Sequence, residues 1–295
     1  MNSSKEQTKN SFSQKWVNNV DLAFSETLRP GSDIFNWIIG RNGFSDESSA
    51  RIWLSKRHRI LDAGCGNGRV TALLRKLSNK NTKIFGIDLT ASHIAANNLE
   101  GVPNVYFEKK DLLEDLTSLG RFDLIYCQEV LHHTASPVDA FNNLVKILAP
   151  GGEIAIYVYK RKAPIREFTD DMVRDKISKL SYEEAKVLMD QITNFGKALS
   201  ELNISVQIPN VDVLGIEEGS YDIQRLIYHF FSKCFWNSNL DFNQNSAINY
   251  DWYHPQLCTR HTLKEVQEWF LNANLDIVHE NVDHYGITIR GRNKK

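Results

Sequence analysis

The stretch Arg59-Ile60-Leu61-Asp62-Ala63-Gly64-Cys65-Gly66-Asn67-Gly68-Arg69-Val70 constrains this chain more than any other. A short apolar run carries a carboxylate at its end and then breaks into three alternating glycines. Beyond Gly68 the apolar residues fall at helical spacing, with Val70, Leu73, Leu74 and Leu77 on one face. The pattern predicts a buried strand, a tight turn and a helix start, with a backbone bare enough for a ligand to lie against it. A second strand, Lys83-Ile84-Phe85-Gly86-Ile87-Asp88-Leu89, places another acid 20 residues beyond Gly68. At that distance a carboxylate can hold a ribose diol.

A glycine-rich strand-to-helix turn is shared by several nucleotide sites, and the charge in front of it separates them. Dinucleotide enzymes carry G-x-G-x-x-G with a pyrophosphate at the helix N-terminus. Here the spacing is G-x-G-x-G and an acid precedes it. A carboxylate there repels phosphate and suits a cation bearing an ammonium and a sulfonium. The residues Asp62-x-Gly64-Cys65-Gly66-x-Gly68 and Gly86-Ile87-Asp88 resemble motifs I and II of class I S-adenosylmethionine-dependent methyltransferases. The resemblance implies S-adenosyl-L-methionine as cofactor, held by Asp62, Gly64, Cys65, Gly66, Gly68, Asp88 and Leu89. Asp62 would face the donor's amino-acid end and Asp88 its ribose.

The same family places an acid after the third strand to accept from the adenine amine. Asp111 stands there, with Leu89 and Leu112 as apolar walls. Phe122-Asp123-Leu124-Ile125-Tyr126-Cys127-Gln128-Glu129-Val130-Leu131-His132-His133 resembles the fourth strand and the segment after it. Gln128 and Glu129 would sit beside the methionine portion, and Asp123 would tie the strand start. His132 and His133 are catalytic candidates, because an imidazole titrates near neutral pH and can take a proton from an attacking hydroxyl or amine. Packing under the next helix explains the pair equally well, and His133 is the choice if one faces the pocket. Leu148-Ala149-Pro150-Gly151-Gly152 resembles the turn before the fifth strand.

The 295 residues are enough to bury a full α/β core with an elaboration. A net charge of −1 argues against a broad nucleic-acid footprint, so DNA is not an expected partner. Lys160-Arg161-Lys162 and the basic end from Arg290 read as solvated surface. Cys65, Cys127, Cys234 and Cys258 show neither paired spacing nor metal-ligand spacing, which fits a reducing compartment and no metal site. No apolar leader or membrane-length run is visible, so the expected location is the cytoplasm, without membrane insertion.

In chain order, residues 1–12 read as a polar, disordered tail. From Phe12 to Trp53 large apolar residues suggest two short helices around Arg29–Asp33, with Ser32 or Asp33 as N-cap, serving as a scaffold or a lid. Strands at 58–63, 83–88, 104–108, 122–127 and 153–159 alternate with helices near 68–78, 91–99 and 137–148, which implies a parallel sheet. After Lys160 come helical patterns over Tyr182–Leu202 and Tyr221–Trp236, the second dense in aromatics. Residues 237–249, rich in Asn and Ser, read as a flexible connection. Tyr250-Asp251-Trp252-Tyr253-His254-Pro255 and the helix after Arg260-His261-Thr262 resemble a bacterial methyltransferase subgroup. Thr262 with Glu265 forms a capping box, whereas Tyr253 and His254 are candidate substrate contacts. Two strands, 276–281 and 285–290, close the chain.

The expected fold is therefore α/β: a Rossmann-like seven-stranded methyltransferase sheet with helices on both faces, N-terminal helices, and a helical insertion after the fifth strand. The expected divisions are 1–57, a tail and helical lid; 58–159, the cofactor core; 160–260, a substrate cap; and 261–295, the closing helix and hairpin. The resemblance implies direct methyl transfer to a small-molecule, sugar or lipid-precursor acceptor. A tRNA or protein methylase, a donor-binding module without catalysis, and a nicotinamide oxidoreductase are the alternatives. Acceptor atom and oligomeric state are open.

Overall fold

The computed structural model describes residues 2–294. In chain order, helices α1 (Asn2–Asn18), α2 (Phe24–Leu28), α3 (Asp33–Arg41) and α4 (Glu47–Ser55) precede strand β1 (Arg59–Ala63). Then follow α5 (Arg69–Leu77), β2 (Lys83–Asp88), α6 (Ser92–Asn98), β3 (Val105–Lys109), β4 (Phe122–Gln128), α7 (Pro137–Lys146) and β5 (Leu148–Tyr159). The insertion holds α8 (Pro164–Ile177), α9 (Tyr182–Glu201), β6 (Ser205–Ile208), β7 (Gly219–Asp222), α10 (Ile223–Phe230) and α11 (Phe242–Tyr253). α12 (Leu263–Asn272), β8 (Leu275–Val282) and β9 (Gly286–Asn293) complete the chain. These elements form two compact units, residues 1–19 with 161–258 and residues 20–160 with 259–295.

The larger unit is built on a seven-stranded sheet of order β3-β2-β1-β4-β5-β9-β8. The first five strands are parallel, while β9 runs antiparallel to both β5 and β8. Strand order reverses between β1 and β4, and the crevice at such a reversal is where open α/β sheets bind ligands. One face of the sheet buries Ile60, Ile84 and Leu124 against Phe35 and Ile38 of α3, Leu54 of α4 and Leu73, Leu74 and Leu77 of α5. The other buries Leu61, Ile125 and Ile154 against Phe141 of α7 and Val266 and Phe270 of α12. Central strands buried on both faces explain their near-continuous apolar sequence. The Asp123 carboxylate accepts from the backbone N–H groups of His58 and Arg59 at 2.8 and 3.1 Å, fixing the starts of β4 and β1 together. Ser32 caps α3, and Thr262 and Glu265 cap each other at α12.

The smaller unit departs from the sequence reading in three places. Residues 2–18 are helical, not a tail. α1 presents polar side chains inward, with Thr8, Ser11 and Lys15 buried, and Lys15 meets Asp251 at 3.0 Å. An apolar stripe is therefore missing from its sequence. The aromatic run after Tyr221 is helical only to Phe230, and the loop after it is stitched by side chains. Asn249 Oδ1 accepts from Phe235 N at 2.8 Å, and Asn245 Oδ1 accepts from Asn237 N at 2.7 Å. Those two asparagines are fully buried on α11, so the Asn-rich stretch expected to be a flexible connection over 237–249 is helical from Phe242 onward. The expected boundaries shift accordingly. Residues 20–57 belong with the sheet, residues 1–19 with the insertion, and the insertion closes at Cys258.

Candidate active site at the ends of strands β1, β2 and β4

β1 delivers Asp62 to the crevice, and the glycines turn the chain sharply enough to expose backbone there. Gly64 and Gly68 have φ of 84° and 88°, a region that L side chains rarely adopt. A Cβ on Gly64 would also lie 2.2 Å from the Val130 side chain. The N–H groups of Gly64 and Cys65 both donate to the Ile87 carbonyl, at 2.7 and 3.0 Å, which locks the turn onto β2. Asn67, fully buried, donates to the carbonyls of Val20 and Leu22 and ties the turn to the segment leading into α2.

Asp62 is 2% exposed. Its carboxylate accepts from the Thr71 hydroxyl at 2.5 Å, one helical turn into α5. Burial raises its pKa to about 7, against the lowering effects of Thr71 and the Arg69 charge; the nearby Asp88 adds to the rise. Asp88, at the end of β2, is instead well supplied with donors. Gly66 N donates to Oδ2 at 3.1 Å, while Thr90 N, Thr90 Oγ1 and Ala91 N donate to Oδ1 at 2.7–3.0 Å. It braces the glycine turn from the end of β2. Cys65 is buried with its thiol pushed well above the usual range, chiefly by burial, so it packs as a small apolar residue.

Asp111 and Leu112 follow β3, both buried; Asp111 Oδ1 accepts from Leu113 N at 2.9 Å. Leu89 is half-buried after β2. At the end of β4, Gln128 Oε1 accepts from the Tyr126 hydroxyl at 2.7 Å, and that hydroxyl accepts from Asn42 Nδ2 at 3.0 Å. Glu129 has φ of 60°, a conformation costly for a side chain of this size and one that clusters at functional sites. Its carboxylate lies 3.3 Å from Arg69 Nη2.

The two histidines follow on a single 3₁₀ turn, Leu131–His133, and occupy different environments. His132 is fully buried with its ring stacked on Tyr159 at 3.7 Å, and its carbonyl accepts from Thr259 N at 2.8 Å. His133 keeps 9% of its surface exposed and meets Tyr159 edge-on. Tyr253 and His254 lie in the smaller unit. The Tyr253 hydroxyl is 2.8 Å from Asp170 Oδ1, and His254 engages Tyr250, Ser11 and the Leu180 carbonyl at 2.8–3.1 Å. Their polar atoms are already committed within that unit. His254 also borders a polar pocket of about 520 Å³ with Tyr182, Tyr250 and Gln7.

Thr71, Arg69, Asn67, Tyr126 and Asn42 escaped the sequence reading, although each fixes an expected site residue. Only Asn67 and Arg69 gave a signal, by their place in the glycine turn. The four cysteines are buried and form no disulfide, and among the described residues no helix is long and apolar enough to cross a membrane.

Comparison with known proteins agrees with this geometry. Residues 54–194 match the family profile described as a methyltransferase domain. An uncharacterized protein of Synechococcus sp. is 37% identical over 121 residues, which are 39% of this chain and 29% of that protein. The chain thus spans less than a third of that relative. The ubiquinone biosynthesis O-methyltransferase of Psychrobacter cryohalolentis is 23% identical over 260 residues, covering 81% of this chain and 91% of that one. Among solved structures, PKMT2 from Rickettsia typhi superposes with a TM-score of 0.53 at 15% identity, covering 84% of this chain and 54% of that one, a likeness of fold. Residues 54–194 thus resemble a methyltransferase domain, and the sheet order and the acid and glycines of the β1 turn agree with the fold of class I S-adenosylmethionine-dependent methyltransferases.

Proposed function

We propose that the protein transfers the methyl group of S-adenosylmethionine to a small-molecule acceptor, with an oxygen nucleophile as the favoured acceptor atom. The observation that carries this reading is Asp62: a carboxylate held 2% exposed, with Thr71 alone supplying its hydrogen bonds, next to a turn whose glycines take left-handed φ. Such a group is under-compensated as an anion and gains most from a cationic ligand. The name of the Psychrobacter relative, an O-methyltransferase of ubiquinone biosynthesis, supports the small molecule and the oxygen.

The donor supplies an electrophilic methyl on a cationic sulfur, and this chain's residues do the rest by positioning. Asp62 and Glu129 bracket the cationic amino-acid end. Asp88 presents its carboxylate to the ribose, with its remaining lone pairs held by the turn. Asp111, Leu89 and Leu112 suit an adenine: an acceptor between apolar walls. His133 is the base candidate that retains exposed surface. It would take the acceptor's proton, either ring nitrogen becoming protonated as the nucleophile loses its hydrogen.

Calorimetric titration with S-adenosylmethionine, S-adenosylhomocysteine and NADH, repeated on Asp88→Ala, tests the reading. Binding of the first two by the wild type, with loss in the variant, is the expected result. Binding of NADH alone would contradict it and favour an oxidoreductase. Transfer of a labelled methyl group to phenolic acceptors then distinguishes an enzyme from a donor-binding module.

A further inference from the structure

Arg41, the last residue of α3, is 3% exposed; the Tyr126 hydroxyl interacts with its guanidinium, but none of the three nitrogens makes a hydrogen bond of good geometry, and no carboxylate among the described residues pairs with it. Two aromatic rings, set edge-to-face against each other, pack beside it: the guanidinium carbon lies 3.9 Å from the Trp37 centroid and 4.2 Å from that of Tyr157. Two neighbouring buried polar atoms also lack a hydrogen bond, Asn42 Oδ1 and Thr288 Oγ1. Asn42 is next in the chain. Thr288 sits directly opposite Tyr157 in the β5–β9 register and so shares its face of the sheet.

This cluster adjoins the site already described. Tyr157 pairs with Gln128 across β4 and β5, and its carbonyl accepts from Glu129 N at 3.3 Å. The Asn42 amide donates to the Tyr126 hydroxyl, which donates to Gln128. The same Tyr126 hydroxyl interacts with the guanidinium, so polar contacts link Arg41 to the strand end that carries Gln128 and Glu129.

A buried guanidinium without a countercharge is costly, and a hydroxyl and aromatic rings offset only part of that cost. The chain's own nearby carboxylates are occupied. Asp283 accepts from Trp37 Nε1, Tyr285 N and Gly286 N, and Glu129 faces Arg69. The in-plane donors of arginine match the two oxygens of a carboxylate, and the apolar surface of the rings beside them suits the body of an organic acid. We propose that Arg41 is the acceptor-recognition residue of this domain and that the methyl acceptor is an organic acid whose carboxylate seats on the Arg41 guanidinium. The proposal rests on the methyl-transfer reading for the word acceptor; the carboxylate seat itself stands on the geometry of Arg41.

The test uses the full chain, with benzoate as probe and benzamide as its uncharged counterpart, titrated by calorimetry with and without S-adenosylhomocysteine. Wild-type protein should bind benzoate, and benzamide roughly tenfold more weakly or worse. Arg41→Met should lose benzoate by a similar factor while S-adenosylhomocysteine binds as in the wild type. Arg41→Lys should fall between, since it keeps the charge and loses the fork. The melting temperature of ligand-free Arg41→Met should equal or exceed that of the wild type, because the variant removes an uncompensated buried charge. Benzoate binding unchanged in Arg41→Met, or absent from the wild type, would overturn the proposal. So would a clear drop in the ligand-free melting temperature, which would make Arg41 a structural cation served by water. Failure of S-adenosylhomocysteine to bind the wild type would sink the methyl-transfer reading alone, and the benzoate arm without it would still decide the carboxylate seat.

Discussion

Two buried aspartates, one in each unit, show the difference between a carboxylate surrounded by donors and one left short of them. Asp170 in α8 is 1% exposed and is surrounded by donors: Arg166 Nε at 3.1 Å, Trp252 Nε1 and the Tyr253 hydroxyl at 2.8 Å, and Lys233 N at 3.0 Å. Asp62 at the end of β1 is 2% exposed and has the Thr71 hydroxyl. Equal burial with unequal compensation yields opposite consequences. Asp170 is a hub that fixes α8, α11 and the loop after α10. The Asp62 pKa rises to about 7 because burial outweighs its few partners, and a bound cation would relieve that. Tyr253 belongs to the first kind of environment, where the hydroxyl is held near a carboxylate and its own pKa is pushed up by burial and by Asp170.

The contrast can be broken at the hub first. Asp170→Ala leaves the Arg166 charge buried without its partner, and removal of one member of a buried pair costs about 3–5 kcal/mol. Urea denaturation should show the smaller unit losing most of its stability; a loss below about 1 kcal/mol would mean that the aromatic faces of Tyr228 and Trp252 over Arg166 suffice. A smaller effect is expected at the turn beside Asp62. Gly64→Ala demands a left-handed alanine and drives its Cβ into Val130, costing about 1–3 kcal/mol. It should abolish donor binding before it unfolds the protein, which paired calorimetry and thermal melts would reveal.

The same two aspartates mark how far the sequence could be read. Asp62 announced itself, because its neighbours are consecutive residues: strand, acid, three glycines, helix. The seven-stranded sheet was legible for the same reason, with every core strand from β1 to β5 found within a few residues at its ends. Asp170 sat unremarked in a charged stretch, since Trp252, Tyr253 and Lys233 lie 63 or more positions away in sequence. Arg41 was silent too, because its surroundings come from α3, β5 and β9. Periodicity failed where side chains replaced apolar packing. α1 buries Thr8, Ser11 and Lys15, and α11 uses buried Asn245 and Asn249 to hold a loop. Polar composition there signals a helix that packs through hydrogen bonds.

The sharpest test concerns the charge on Asp62. Its pKa is raised from the ordinary 3.8 to about 7 in the folded protein, so the folded state holds a proton that the unfolded state has released across that interval. Stability from this group is therefore full below about pH 4 and is lost as pH rises through about 7. Affinity for a cationic donor runs the other way, because the ligand requires the ionised form. The measurement is the dissociation constant of S-adenosylmethionine at about pH 6 and about pH 7.5, on either side of that value, for wild type and Asp62→Asn. The account predicts tighter wild-type binding at the higher pH. It also predicts a variant weaker by roughly tenfold to a hundredfold, as expected for loss of a hydrogen bond to a charged group, with little change between the two pH values. Equal pH dependence in wild type and variant would contradict it.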